Sequence, residues 1–164
     1  MKILKRILLG LAVIFVVIQF FRPARHIAEV NPTHEVTAAV AMPSDVQDII
    51  RNSCYDCHSN NTRYPWYAEV MPAGWFLASH IKDAKQGLNF SEFATGSLRR
   101  QYHKLEEISE QIEEGEMPLP SYLILHRDAE LTAGQKETLH RWVEESRASM
   151  KARYPADSLE RRRN

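Results

Sequence analysis

Two cysteines and a histidine lie within five residues of one another, in the order Cys54-Tyr55-Asp56-Cys57-His58. They form a C-x-x-C-H motif, which is typical of covalent haem attachment. Two thiols about one helical turn apart can each form a thioether with a vinyl group on one edge of a macrocycle, and the adjacent histidine is then directed at the iron. The motif therefore predicts one haem c, held by Cys54 and Cys57, with His58 as the proximal iron ligand.

Two other kinds of site use cysteines at this spacing. A thioredoxin-like dithiol usually lies in a βαβ context, and no strand pattern accompanies the motif here. A zinc site needs a fourth ligand besides Cys54, Cys57 and His58. The chain has 2 cysteines in total, so they cannot belong to a larger disulfide framework. Both alternatives stay open at this point, but neither accounts for the methionine described next.

A methionine in a proline-rich loop is the strongest candidate for the sixth iron ligand. Met117 is followed by Pro118 and Pro120 and comes just after Gly115, which ends a predicted helix. Because prolines restrict the loop, a thioether there can be held against the far face of the haem with little loss of rotamer entropy. A neutral sulfur ligand raises the reduction potential and closes the iron to other ligands, which predicts an electron carrier.

Three other side chains compete for the sixth position. Met71 also precedes a proline, whereas His80 and His103 lie on predicted helices, and either histidine would give a bis-histidine iron of lower potential. The aromatic residues Trp66 and Tyr67, soon after the motif, fit either a wall of the haem pocket or ordinary core packing. The sequence alone leaves both questions open.

Helical periodicity predicts an all-α domain of about four helices around the haem, with no strand pattern and no internal repeat. The first helix is predicted to begin at Ser44, in a capping box, and to run directly into Cys54. The second and third helices are predicted at residues 73–85 and 97–114. The fourth is predicted to begin at Thr132, in another capping box.

The N-terminal residues have the composition of an export signal or a membrane anchor. Residues 7–21 are almost uniformly apolar and follow Lys2, Lys5 and Arg6. Because no small-residue cleavage site follows closely, residues 1–22 are predicted to form an uncleaved signal anchor, which is a single transmembrane helix. The positive-inside rule then predicts an inner-membrane protein whose haem domain lies in the periplasm.

The rest of the chain divides into three parts. Residues 23–43 contain several prolines and no helical period, which predicts an extended tether. Residues 44–154 form the predicted haem domain, and residues 155–164 are predicted to be disordered. Acidic residues outnumber basic residues from His26 onward, so the domain itself is acidic. This charge argues against a nucleic-acid partner.

Several of these signals together resemble a family of small bacterial haem-binding domain proteins, which are anchored, single-haem relatives of cytochrome c. The matching positions are 54–62, 65–67, 88–91, 115–118, Tyr122, 131–132 and Trp142. The resemblance covers roughly residues 44–150. It implies an all-α, cytochrome c-like fold and a covalent haem at Cys54, Cys57, His58 and Met117, and it implies no substrate.

An anchored single-haem domain of this kind is predicted to be an electron carrier that exchanges electrons with redox partner proteins. The alternative is a haem-based sensor or gas-binding module, in which Met117 does not bind the iron or is displaced by a small gas. A peroxidase-like enzyme is disfavoured because no distal acid–base arrangement is evident. Carbon monoxide binding to the reduced protein distinguishes the carrier from the sensor.

Overall fold

The structure of the protein is a computed structural model, which describes residues 1–160. This part of the chain is helical and contains no strand, which confirms the all-α prediction. Its α-helices are α1 (Lys2–Ile18), α2 (Val36–Ala39), α3 (Ser44–Ser53), α4 (Tyr55–His58), α5 (Ala73–Gly87), α6 (Leu98–Glu113), α7 (Pro120–Leu123), α8 (Ala133–Arg153) and α9 (Ala156–Leu159). Short 3-10 helices lie at Trp66–Glu69, Phe90–Thr95 and Arg127–Ala129.

Helices α3, α5, α6 and α8 correspond to the four predicted helices. The core forms where α6 packs against α8 and α8 packs against α3. Helix α6 buries Leu105, Ile108 and Ile112, whose spacing of three and four residues places them on one face. Ile50 of α3 and Leu139 of α8 are buried against the same cluster. Helical periodicity therefore identified the residues that pack the domain.

The two predicted capping boxes have different outcomes. Thr132 caps α8 in a reciprocal capping box with Gln135, as predicted. Ser44 is already inside α3 and Pro43 is the N-cap residue, so the capping box predicted at Ser44 is wrong. The Gln47 side chain instead donates to the carbonyl of Met42 (2.8 Å), whose side chain is buried in the core.

The predicted transmembrane helix is wrong. No helix within residues 1–160 is both long enough and apolar enough to cross a membrane. Helix α1 has 17 residues, fewer than the roughly 20 that a span requires. The prediction of a single-pass inner-membrane protein with a periplasmic domain rested on this helix, and it is therefore also wrong.

The residue that follows α1 is hydrogen-bonded to the segment before α5. The Gln19 side chain donates to the Met71 carbonyl (3.0 Å) and accepts the Met71 N–H (2.9 Å). These two hydrogen bonds join the residue after α1 to the start of α5, where the Trp75 indole also donates to the Phe21 carbonyl (2.6 Å). The apolar composition continues to Phe21, but the helix does not.

The predicted tether also differs from the structure. Residues 23–43 include helix α2, and Val36 and Val40 at its ends are buried in the core. An apolar pair four residues apart is the signal that identifies one turn of packed helix here. Near the start of the segment, Arg25 pairs with Glu69. The segment is therefore attached to the domain along its length.

The C-terminal residues differ from the predicted disorder as well. Residues 156–159 form α9, and Leu159 is buried against the core cluster. Helix α9 packs on α6, and this packing explains why residues 156–159 are ordered. The remainder of the predicted disordered tail, residues 161–164, lies outside the described residues.

Gly74, in the first turn of α5, has no room for a side chain. A Cβ at this position would lie 2.4 Å from the Ala68 carbonyl oxygen, which belongs to the backbone. We therefore expect Gly74→Ala to lower the free energy of unfolding by about 1–3 kcal/mol, measured by urea denaturation.

Gly134, in the first turn of α8, provides the matched control for this substitution. A Cβ there would meet nothing within 4 Å. Gly134→Ala is expected to leave stability unchanged or to raise it by up to about 1 kcal/mol, because alanine favours the helix more than glycine does. Equal losses in the two variants would contradict the close approach at Gly74.

Candidate functional site

The C-x-x-C-H motif lies at the break between α3 and α4. Helix α3 ends at Ser53, and Cys54 leaves helical geometry with φ −125° and ψ −35°. The Cys54 carbonyl accepts the N–H groups of Cys57 (3.2 Å) and His58 (2.9 Å), so the next turn closes back on it. One short turn therefore carries both thiols and the imidazole, as the predicted attachment chemistry requires.

Cys54, Cys57 and His58 line a cavity of about 420 Å³, called here the central cavity. Its other walls come from α5, α6, the segment after α5, the loop before α7 and the residues before α8. Their apolar members include Ala84, Leu88, Phe90, Ile108, Ile112 and Leu131. The lining is largely apolar, and the volume is within the range of cavities that bind small molecules. An apolar cavity next to these three side chains fits a macrocycle.

His58 is held in one orientation. Its Nδ1 lies 3.0 Å from the Leu88 carbonyl oxygen. Because a carbonyl only accepts, Nδ1 carries the proton and Nε2 keeps a lone pair for a metal. Burial lowers the pKa of His58 below its usual 6.5, which favours the neutral ring. His58 therefore has the tautomer and the charge that an iron ligand needs.

The two cysteines are thiols in the folded chain, and no disulfide joins them. Burial raises the pKa of Cys54 to about 12 and that of Cys57 to about 11. The thiolate is the form that exchanges disulfides, so these pKa values disfavour the dithiol alternative. In addition, no three His, Cys, Asp or Glu side chains in residues 1–160 are grouped closely enough to hold a metal ion.

Met117 lines the same central cavity. Gly115 has φ +74°, a conformation that favours glycine, and it turns the chain after α6. The Gln111 carbonyl then accepts the N–H groups of Glu116 (3.0 Å) and Met117 (3.1 Å). These bonds fix the backbone at the end of α6, so the loop presents the Met117 thioether at the cavity wall.

Of the three competing ligands, only His80 also lines the central cavity. Met71 is buried at the start of α5 and is not part of the lining, and His103 lies on the surface face of α6. Helix α5 carries His80 and also packs against α4, which carries His58. Both Met117 and His80 therefore lie at the wall of the cavity that His58 lines.

The two aromatic residues predicted as possible pocket walls lie elsewhere. Trp66 is 76% exposed, and neither Trp66 nor Tyr67 lines the central cavity. The Tyr67 hydroxyl is hydrogen-bonded to His126 (3.0 Å), whose ring stacks on Tyr122 with centroids 4.1 Å apart. Tyr122 does line the cavity. Proximity to the motif in sequence was a poor guide to these positions.

Three polar side chains, those of Asp56, Arg63 and Tyr122, are linked by hydrogen bonds beside the motif. Asp56, inside the motif, accepts a hydrogen bond from the Tyr122 hydroxyl (2.9 Å) and another from Arg63 Nε (2.9 Å). Burial and the bond to Asp56 raise the pKa of Tyr122, so the phenol keeps its proton and donates. Asp56 and Tyr122 are 66 residues apart, and no local pattern predicts their contact.

Residues 13–145 match the sequence profile of the haem-binding domain family. The matched range is most of the chain, and it contains the motif, Met117 and all the helices that line the central cavity. No curated protein and no solved structure matches the chain.

Proposed function

Since the chain belongs to the haem-binding domain family, we propose that it holds one covalent haem c and acts as a single-haem electron carrier. Cys54 and Cys57 would hold the haem through thioethers, and His58 and Met117 would ligate its iron. The observation that carries this proposal is the His58 hydrogen bond to Leu88, which leaves Nε2 available in the cavity that Met117 also lines.

The residues of the central cavity fit the proposed attachment. Each thiol would add across one vinyl double bond of the haem, so that the sulfur would bond to one carbon and the thiol hydrogen would move to the other. This addition needs no oxidant and no reductant. The structure supplies both cysteines as free thiols at the wall of the central cavity.

The bound haem supplies an iron that accepts and returns one electron, and the protein's residues set how readily it does so. His58 gives a neutral nitrogen ligand whose orientation the Leu88 carbonyl fixes. Met117 gives a soft, neutral sulfur, which favours the reduced iron and so raises the potential. The largely apolar walls would also favour the less charged, reduced state. A carrier of this kind exchanges electrons with redox partner proteins and converts no substrate.

Carbon monoxide binding tests the carrier proposal against the gas-binding alternative. We expect the native holo-protein to be reduced and reoxidised reversibly, with little change in its absorption spectrum when carbon monoxide is added to the reduced form. Unfolding in guanidinium opens the sixth position and provides the positive control. Rapid binding of one carbon monoxide by the native protein would overturn the carrier proposal and favour a sensor.

A further inference from the structure

The bond between Asp56 and Tyr122 joins the two segments that supply the proposed axial ligands. Asp56 is part of the same turn as His58, inside the C-x-x-C-H motif. Tyr122 lies in α7, which directly follows the Met117 loop. The hydroxyl oxygen of Tyr122 and Oδ2 of Asp56 are 2.9 Å apart. One hydrogen bond therefore connects the motif to the segment that follows the Met117 loop.

The Asp56 carboxylate is well suited to hold this connection. Its side chain is 16% exposed, so water competes little for the bond. Arg63 Nε donates to Oδ1 (2.9 Å) and Tyr122 donates to Oδ2, so both oxygens are engaged and the carboxylate cannot turn freely. Hydrogen bonds to an ionised carboxylate are stronger than those between neutral groups.

The segment that carries Met117 is fixed at both ends. At its start, the Gln111 carbonyl accepts the Glu116 and Met117 N–H groups. At its end, the Leu119 carbonyl accepts the Tyr122 N–H (2.9 Å), and the Tyr122 side chain reaches Asp56. The first attachment holds the loop to α6. The second is the one that holds it to the motif.

We propose that Tyr122 is a positioning residue for the sixth ligand, because its bond to Asp56 holds the Met117 loop at a fixed distance from His58. This inference rests on the proposed function, since it assigns a role toward the iron. Without the bond, α7 moves more freely relative to the motif and Met117 leaves the iron more often. The hydroxyl, and not the ring, carries this role.

The test compares Tyr122→Phe with Tyr64→Phe in the holo-protein. Tyr122→Phe keeps the ring that stacks on His126 and removes only the hydroxyl. The Tyr64 hydroxyl accepts the His26 N–H (2.8 Å) outside the central cavity, so Tyr64→Phe is a matched loss of one hydrogen bond. We expect Tyr122→Phe to bind carbon monoxide about tenfold faster than the native protein, with a weaker methionine–iron absorption band. Tyr64→Phe is expected to match the native protein.

A double-mutant cycle with Asp56→Ala tests whether the two side chains act through one bond. The single variants are each expected to accelerate carbon monoxide binding, and the double variant to be no faster than the faster single variant. Hydrogen exchange at the Met117 and Tyr122 amides, measured without haem, gives a second readout, and it is expected to be faster in Tyr122→Phe than in Tyr64→Phe. Fully additive rates, or equal exchange, would overturn the inference.

The outcomes separate this inference from the proposal beneath it. If the native protein holds no covalent haem, or if Met117 is not its ligand, the proposed function fails and the inference fails with it. If the native protein has haem ligated by Met117 and Tyr122→Phe behaves like Tyr64→Phe, the inference alone is overturned.

Discussion

Replacing Met117 with alanine is expected to remove the sixth iron ligand and to lower the reduction potential. The thioether favours reduced iron because it is soft and neutral, and alanine has no atom that can replace it. We expect a change from a low-spin to a high-spin absorption spectrum and a fall in potential of about 0.1 V or more, within the roughly 0.8 V that axial ligation spans. Redox titration followed by absorption spectroscopy measures both.

His80→Ala is the matched control for this experiment, because His80 is the competing ligand that also lines the central cavity. Its Nδ1 lies 2.9 Å from the Phe76 carbonyl oxygen of the preceding helical turn, so its Nε2 is also available. We expect His80→Ala to keep the low-spin spectrum. A high-spin spectrum in His80→Ala together with a low-spin spectrum in Met117→Ala would show bis-histidine ligation and contradict the assignment of Met117.

Replacing Trp142 with alanine is expected to cause the largest loss of stability. Trp142 is 3% exposed in α8, and its indole N–H donates to the Ala41 carbonyl (2.9 Å). The side chain therefore fills the core and also ties α8 to the segment before α3. Loss of a buried aromatic ring of this size costs about 3–5 kcal/mol in the free energy of unfolding. Urea denaturation of the protein without haem measures this loss.

Trp66→Ala and Trp142→Phe are the controls, because they show whether the loss of stability comes from burial or from the removal of any tryptophan. Trp66 is largely exposed, and Trp66→Ala is expected to change stability by no more than about 0.5 kcal/mol. Trp142→Phe keeps most of the apolar volume but leaves the Ala41 carbonyl without its donor, so its loss is expected to lie between those of the two alanine variants. Similar losses in Trp66→Ala and Trp142→Ala would contradict the described packing of α8.

The sequence predicted the parts of the site that depend on local chemistry. Cys54, Cys57 and His58 lie on one turn, and their spacing alone indicates what they can bind. The Met117 loop was identified from Gly115 and the following prolines, which act on the backbone next to them. The helices that line the cavity were found because their apolar residues recur with the helical period.

The parts that sequence could not predict depend on pairs of residues far apart in the chain. The Leu88 carbonyl that orients His58, and the Asp56 carboxylate that binds Tyr122, become partners only when the helices pack. The contacts of the N-terminal segment are of the same kind. Composition describes an apolar run, whereas α1 ends where the Gln19 side chain binds the backbone of Met71, which is 52 residues away.

A haem stain on a denaturing gel tests the covalent attachment of haem most directly. The protein is expressed together with cytochrome c maturation machinery, and a Cys54→Ala/Cys57→Ala variant is prepared in the same way. We predict that the native band stains after denaturation and that the band of the double variant does not, because only a thioether survives unfolding. An unstained native band, or equal staining of the two proteins, would contradict covalent attachment through Cys54 and Cys57.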